Sequence, residues 1–252
     1  MTMNKSKPIS LCLLTLLAAP AALAAPVESW LEIGSERQHF DNGNDDAAIQ
    51  SLVGSYKTAD HVVYGELTHQ DRFNRQDTTA LLGTYLPLLP KGQLHVEASV
   101  SPNPELKPRD TIYAGWYQSL PHGWTLEPGL QTTHYKDLRV DRYSLNIERY
   151  LRNWRVLYGI ADVQLAGSSG LNHRVQADYY YGEHNRIGAG HAWGDDQESL
   201  PTGVIKTPVR SNYLSGQHQI SPRLSLIYLL QDTEQGSLYR QTGVRLGLRL
   251  QF

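Results

Sequence analysis

The sequence is nearly free of cysteine, since Cys12 is the one thiol among its 252 residues. The chain beyond Cys12 therefore has no disulfide and no cysteine metal site. Long apolar runs are also scarce. Nothing after residue 25 approaches the roughly 18 continuous apolar residues of a membrane-spanning helix. The formal net charge is -2, and no basic patch is interleaved with aromatic residues, so the sequence predicts no nucleic-acid partner.

The first 24 residues have the pattern of a cleaved export signal. Two lysines precede an apolar stretch at residues 9–19, which is too short to cross a bilayer as a helix. The sequence Ala22-Leu23-Ala24 then provides a small-x-small cleavage site. We therefore expect residues 1–24 to be a signal peptide and residues 25–252 to form one exported domain.

The C-terminal segment alternates strictly between apolar residues and polar or small ones. Its apolar members are Val244, Leu246, Leu248, Leu250 and Phe252. Period-two alternation predicts a two-faced strand. A strand that continues to the last residue is typical of a transmembrane β-barrel, in which the last strand pairs with the first. The terminal aromatic Phe252 resembles the signal by which outer-membrane assembly machinery recognises barrel proteins.

The same alternation recurs along the chain and predicts an all-β, closed antiparallel barrel. A mean hydropathy of -0.44 is compatible with membrane insertion, because a barrel needs only alternating apolarity. Fourteen strand candidates have about the 9–11 residues that a tilted crossing requires. They lie near residues 29–39, 48–58, 61–72, 76–87, 92–101, 109–119, 123–134, 140–151, 154–166, 171–182, 185–194, 207–219, 223–232 and 239–252. Twelve strands is the alternative, because 109–119 and 207–219 could be parts of loops.

Short and long connections alternate between these strands. Tight turns such as Leu120-Pro121-His122-Gly123 contain the residues that turn dihedrals favour. The longer polar connections are Asp41 to Asp46, Ser101 to Asp110, Tyr135 to Asp141 and Asp195 to Lys206. This alternation predicts short periplasmic turns and longer external loops.

Tyrosine and tryptophan greatly outnumber phenylalanine, with 15 Tyr and 5 Trp against 3 Phe. Amphipathic aromatic residues favour the boundary between lipid and water, so we expect two aromatic belts. The predicted periplasmic belt contains Trp30, Tyr56, Tyr85, Trp116, Tyr117, Trp124, Trp154, Tyr179, Tyr181 and Phe252. The predicted external belt contains Phe40, Phe73, Tyr135, Tyr143, Trp193, Tyr213 and Tyr239.

Strand parity places a set of charged residues in the predicted lumen. In strand 123–134, for example, Trp124 and Leu130 share the face expected to meet lipid, whereas Thr125 and Thr133 share the other face. The charges predicted to face the lumen are Glu97, Glu127, Glu148, Arg155, Arg174 and Asp178. They predict either a polar passage of mixed selectivity or an internal salt-bridge network that plugs the barrel.

A second charged set lies on the two strands that would close the barrel. Glu32 and Glu36 share the polar face of the first strand, and Arg245 and Arg249 share that of the last. Antiparallel closure would bring Glu36 to Arg245 and Glu32 to Arg249. We expect these residues to form ion pairs across the seam.

Three parts of the chain are similar to a known family. They are Arg142 to Arg149 continuing through Trp154 to Gly159, the stretch Tyr180 to Gly188, and the strand Trp124 to Gly129, taken together with the C-terminal strand. Through these the sequence resembles the YaiO family of outer-membrane β-barrel proteins. The resemblance implies an integral barrel of the Gram-negative cell outer membrane, and it supplies no catalytic residue.

Three functions fit these observations. The favoured one is a channel or export protein with a polar lumen, connected with an envelope polysaccharide, that passes a small solute or glycan. The alternatives are an enzyme that modifies outer-membrane lipid or glycan, and a plugged structural or interaction barrel. Ser168, Ser169 and His173 are the nearest match to a hydrolase site, but they lack a nucleophile elbow. We assign no catalytic residue, cofactor or metal, and expect contact with outer-membrane lipid and lipopolysaccharide.

Overall fold

Fourteen antiparallel strands form one closed barrel in the computed structural model, which describes residues 29–58, 61–200 and 203–252. The predicted signal peptide lies outside these described residues. Each strand pairs with its neighbours in sequence, and the last strand returns to the first. The strands are β1 (Trp30–Phe40), β2 (Ala47–Lys57), β3 (Val62–Arg72), β4 (Arg75–Leu89), β5 (Gly92–Val100), β6 (Asp110–Ser119), β7 (Trp124–His134), β8 (Arg139–Leu151), β9 (Trp154–Leu165), β10 (Ser168–Tyr181), β11 (Asn185–Leu200), β12 (Gly203–Ser221), β13 (Leu224–Gln235) and β14 (Tyr239–Gln251).

The barrel is closed by a continuous ladder between β1 and β14. The register runs from Trp30 opposite Gln251 to Phe40 opposite Gln241. The terminal Phe252 extends this contact, because its backbone N–H donates to the Ser29 carbonyl at 3.0 Å. Closure satisfies the backbone donors and acceptors that an open edge would expose to lipid.

The strands present apolar side chains outward and polar side chains inward. In β7, Leu130 exposes 57% of its surface outside the barrel, whereas Thr133 exposes 6% on the inner face. Outward leucine, isoleucine and valine residues continue this band around the molecule. An apolar band of this extent is unfavourable in water and favourable against hydrocarbon. Among the described residues, no helix is long and apolar enough to span a membrane.

Two of the predicted long connections are arranged differently from the expectation. The stretch Asp195 to Lys206 is not a loop, because β11 continues to Leu200 and β12 starts at Gly203. The pairing of β11 with β12 therefore continues to Leu200 opposite Gly203, so this hairpin is longer than the neighbouring hairpins. The connection after β5 folds onto the inner wall instead of projecting outward. Its backbone N–H groups at Glu105 to Lys107 donate to the buried Asp77 carboxylate at 2.6, 2.8 and 3.0 Å.

The predicted aromatic belts are only partly right. Outward aromatic side chains do occur near both ends of the barrel, including Trp124, Trp154, Tyr143 and Trp193. Several other members of the predicted belts are buried: Phe40, Tyr85, Tyr117, Tyr213 and Tyr239. Their strand position matches a belt, but their parity points them into the lumen, where Phe40 and Tyr239 pack together with 5.5 Å between ring centroids.

We expect Phe252→Ala to lower the amount of assembled barrel in outer membranes several-fold, because the variant loses the terminal aromatic. The folded fraction is measured as the species that migrates fast on a gel before boiling and slowly after it. Leu250→Ala is the matched control, since Leu250 is also outward and apolar on the same strand. An equal loss in both variants would show that apolar area, and not the terminal aromatic, determines assembly.

Candidate functional site

Five charged side chains of the lumen lie in one layer near the end of the barrel that holds both termini. Glu32 is the third residue of β1 and Arg249 is third from the end of β14. Glu127 is the fourth residue of β7, Arg155 the second of β9, and Asp178 is fourth from the end of β10. These five residues lie on five different strands, at a similar depth in the barrel. We call this set the charged layer.

Glu32 joins the two arginines at the barrel seam. Its carboxylate accepts Arg245 Nη2 and Arg249 Nη2, each at 2.8 Å, and its side chain is only 3% exposed. The Arg249 guanidinium also lies 3.8 Å from the centroid of the Trp30 ring. A buried carboxylate is stable only when such partners replace its hydration.

The predicted ion pair between Glu36 and Arg245 is not formed. The two residues are opposite each other in the ladder, but Arg245 reaches diagonally to Glu32, while Glu36 accepts Gln38 Nε2 at 2.5 Å. Diagonal neighbours on a sheet lie within reach of long side chains, so register alone does not decide the partner.

A second network joins β8, β9, β10 and β11. Arg155 is 4% exposed and donates to Glu148 at 2.8 Å and to Asp178 at 3.1 Å. The fully buried Asp178 also accepts Arg186 Nη1 at 2.7 Å. Arg174 is buried on the same wall, farther from the terminal end, with its side chain near Gly159.

A third network is centred on His95. Its Nδ1 lies 3.0 Å from Glu127 Oε1, and its Nε2 lies 2.6 Å from the Tyr64 hydroxyl. Tyr64 also donates to Glu97, and Tyr113 donates to Glu127 at 3.0 Å. Glu97 and Glu127 therefore share the His95 imidazole, and each also accepts from a tyrosine of its own. Strand parity alone predicts that His95 shares the inner face of β5 with Glu97, but it does not predict the contact with Glu127 on β7.

Glycines make room for the tyrosine rings on the inner wall. The Tyr113 ring lies over Gly115 and Gly129, where any Cβ would overlap it. The Tyr64 ring lies over Gly83 in the same way. Because these tyrosine rings lie flat against the wall, they do not occupy the centre of the lumen, where the charged side chains can extend.

Five lumenal charges that water can partly reach lie on facing parts of the wall. Glu97 and Glu127 lie on β5 and β7, whereas Arg186, Arg245 and Arg249 lie on β11 and β14. Each of these five side chains exposes between 15% and 25% of its surface. In a ring of fourteen strands, β5 to β7 face β12 to β14. Among these five, the two carboxylates therefore lie on one wall and the three guanidinium groups on the region opposite. Glu36 on β1 and Arg142 on β8 are also partly exposed, so each wall carries charges of both signs.

The candidate hydrolase residues are not brought together. Ser169 donates to Asp162, whereas the His173 ring contacts the Tyr158 hydroxyl at 2.9 Å. Within the described part of the chain, no three His, Cys, Asp or Glu residues are arranged to hold a metal ion. In the acidic loop after β1, Asp46 contacts His39 at 2.8 Å.

A closed antiparallel barrel with an apolar outer face and a charged inner face defines the class of outer-membrane β-barrels. The chain belongs to the YaiO family, since the profile of the YaiO membrane beta barrel domain matches residues 28–198. Comparison with curated proteins gives no match.

Solved porins and channels have the same fold. Omp33 of Acinetobacter baumannii is 12% identical, with 89% of this chain and 99% of that chain covered and a TM-score of 0.54. A bacterial polysaccharide outer membrane secretin is 9% identical, with 89% and 98% covered and a TM-score of 0.57. The KdgM porin in complex with disordered oligogalacturonate is 11% identical, with 88% and 99% covered and a TM-score of 0.52.

We expect Glu32→Gln to lower the free energy of unfolding by about 2–4 kcal/mol, because two arginines lose their shared carboxylate. Urea unfolding of the protein in lipid vesicles, followed by tryptophan fluorescence, measures this change. Glu36→Gln is the matched control on the same strand and face, with an expected loss below about 1 kcal/mol. Equal losses would contradict the role of Glu32 as the shared partner at the seam.

Proposed function

We propose that this protein is a selective passage for small hydrophilic solutes that carry charge, such as short acidic saccharides. The observation that carries this proposal is the placement of the partly exposed Glu97 and Glu127 across the lumen from the partly exposed Arg186, Arg245 and Arg249. Each of these five charges is held in place by a more buried partner. Glu32 holds Arg245 and Arg249. Asp178 holds Arg186, and His95 holds both carboxylates.

Charges fixed on facing walls act on a solute in two ways. They set up a field across the passage that orients a dipolar or charged solute, and this field is stronger than in bulk water because the barrel is surrounded by lipid. They also supply hydrogen-bond partners that replace the hydration of the solute. Guanidinium groups suit carboxylates, and the opposing carboxylates suit hydroxyl groups.

The saccharide class is supported by two of the structural neighbours. One is described as a complex with oligogalacturonate and another as a polysaccharide secretin. Both are similar to this chain in fold, and neither identifies its solute. A passage for acidic saccharides would also agree with the predicted connection to an envelope polysaccharide.

The proposal includes the expected location and partners. The export signal delivers the chain to the periplasm, the assembly machinery recognises Phe252, and the outward apolar band contacts outer-membrane lipid and lipopolysaccharide. A plugged barrel is the competing interpretation, and it differs in one measurable respect, the passage of ions.

We expect charge-removing variants on the two walls to change ion selectivity in opposite directions. Arg186→Gln should raise the permeability ratio of potassium to chloride on the order of twofold, and Glu97→Gln should lower it by a similar factor. The ratio is obtained from the reversal potential under a potassium chloride gradient in a planar bilayer.

The control for both variants is Glu234→Gln, because Glu234 is exposed on the outward face near the opposite end. Its ratio should equal that of the unmodified protein. A folded protein whose selectivity is the same in all three variants would overturn the proposal that these walls line the passage.

A further inference from the structure

Arg142 lies on the inner wall of the barrel with few partners. Strand parity places it on the inner face of β8, together with Glu148, and the residue is partly exposed. Its Nη1 donates to Gln131 Oε1 at 3.5 Å, and its Nε is buried without a hydrogen-bond partner. Among the described residues, Arg142 forms no ion pair. A guanidinium group carries five N–H donors, so the protein leaves most donors of Arg142 to another group.

Arg174 places a second positive charge on the same wall. It is only 4% exposed, on the inner face of β10, and its Nε lies 3.8 Å from the position that a Cβ of Gly159 would occupy. Gly159 is on β9, the strand between β8 and β10. The charges of Arg142 and Arg174 are close enough to repel each other. Two like charges in a poorly hydrated wall are unfavourable, and an anion bound beside them relieves that cost.

The carboxylate that attracts both arginines is engaged by other groups. Glu127 Oε1 accepts Tyr113 at 3.0 Å and lies 3.0 Å from His95 Nδ1, and Glu127 Oε2 accepts Asn146 Nδ2 at 3.3 Å. Its charge acts on the two guanidinium groups over a longer distance. Glu127 thus balances part of the positive charge of this wall without occupying the donors of Arg142.

The wall between the two arginines is built from small residues. Ser144 on β8 is opposite Ala161 on β9, and Gly159 is the next inward residue of β9. Ala161 is opposite Asn172 of β10, whose Nδ2 is a second buried donor without a hydrogen-bond partner. Small side chains leave space above the wall, and N–H donors remain unsatisfied on both sides of β9. Such a position suits a ligand group that only accepts hydrogen bonds, such as a carboxylate.

We propose that Arg142, supported by Arg174, binds the carboxylate group of an acidic saccharide inside the barrel. The planar Arg142 guanidinium donates in parallel to both carboxylate oxygens. The buried Arg174 strengthens the attraction from within the wall. Arg142 is the fourth residue of β8, so this position lies farther from the terminal end than the charged layer. The inference rests on the proposed passage, because the passage brings the solute to this wall.

Calorimetric titration of the full-length protein, folded in detergent micelles, tests this position. Sodium glucuronate is the probe, and glucose is its neutral analogue, with a hydroxymethyl group in place of the carboxylate. We expect glucuronate to bind more tightly than glucose. Arg142→Gln should lower the glucuronate affinity roughly tenfold, because a charge-assisted bidentate contact is lost. Arg142→Lys should retain part of the affinity, because it keeps the charge without the planar fork.

Arg139→Gln is the matched control, because Arg139 is exposed on the same strand and is paired with Asp141. Its glucuronate affinity should equal that of the unmodified protein. A purely structural role for Arg142 predicts a different outcome in urea. We expect Arg142→Gln to unfold at no lower a urea concentration than the unmodified protein, since the substitution removes a repulsion and not an ion pair.

The proposal is overturned if glucuronate does not bind, if glucose binds equally well, or if Arg142→Gln keeps the full glucuronate affinity. Ion conductance is read separately in a planar bilayer. A conducting protein that fails to bind glucuronate contradicts this site and leaves the passage intact. A silent protein that binds glucuronate through Arg142 contradicts the passage and leaves the site intact.

Discussion

Backbone hydrogen bonding in a medium without water is the constraint on which this structure depends. A strand that crosses hydrocarbon must find a partner on both sides, and the unbroken pairing of β1 with β14 meets that demand. Period-two alternation then assigns every side chain to lipid or lumen. Because the outer face must be apolar, the polar and charged residues of the strands collect inside. The charged layer is thus a consequence of closure as well as a candidate site.

The interior satisfies its charges by sharing partners. Glu32 serves two arginines, and Asp178 serves Arg155 and Arg186. Because ion-pair partners are shared, the most buried charged groups stay paired. Several guanidinium groups still have one side in contact with water, for example that of Arg186. Glycines beneath tyrosine rings complete this arrangement by keeping the aromatic groups flat against the wall. A rigid wall with accessible opposite charges is the arrangement that the proposed passage requires.

Much of the fold follows from the sequence, because alternation and turn chemistry are local signals. They predict the closed barrel, its fourteen strands, and the outward direction of Leu130 against the inward direction of Thr133. The side-chain partners do not follow, since a ladder specifies Cα neighbours, whereas Arg245 takes a diagonal contact. Tyr85 lies near a strand end, as a belt residue would, but its parity directs the ring into the lumen. Gln197 on β11 donates to the Val163 carbonyl of β9, a long-range contact that no local pattern encodes.

The central claim is that the lumen passes ions and small polar solutes between its charged walls. Single-channel recording of the refolded, unmodified protein in a planar bilayer tests it most directly. Discrete, reproducible conductance steps are the result that the account predicts. A silent bilayer, with folding verified by the change in gel mobility on boiling, would contradict it and show that the internal network plugs the barrel.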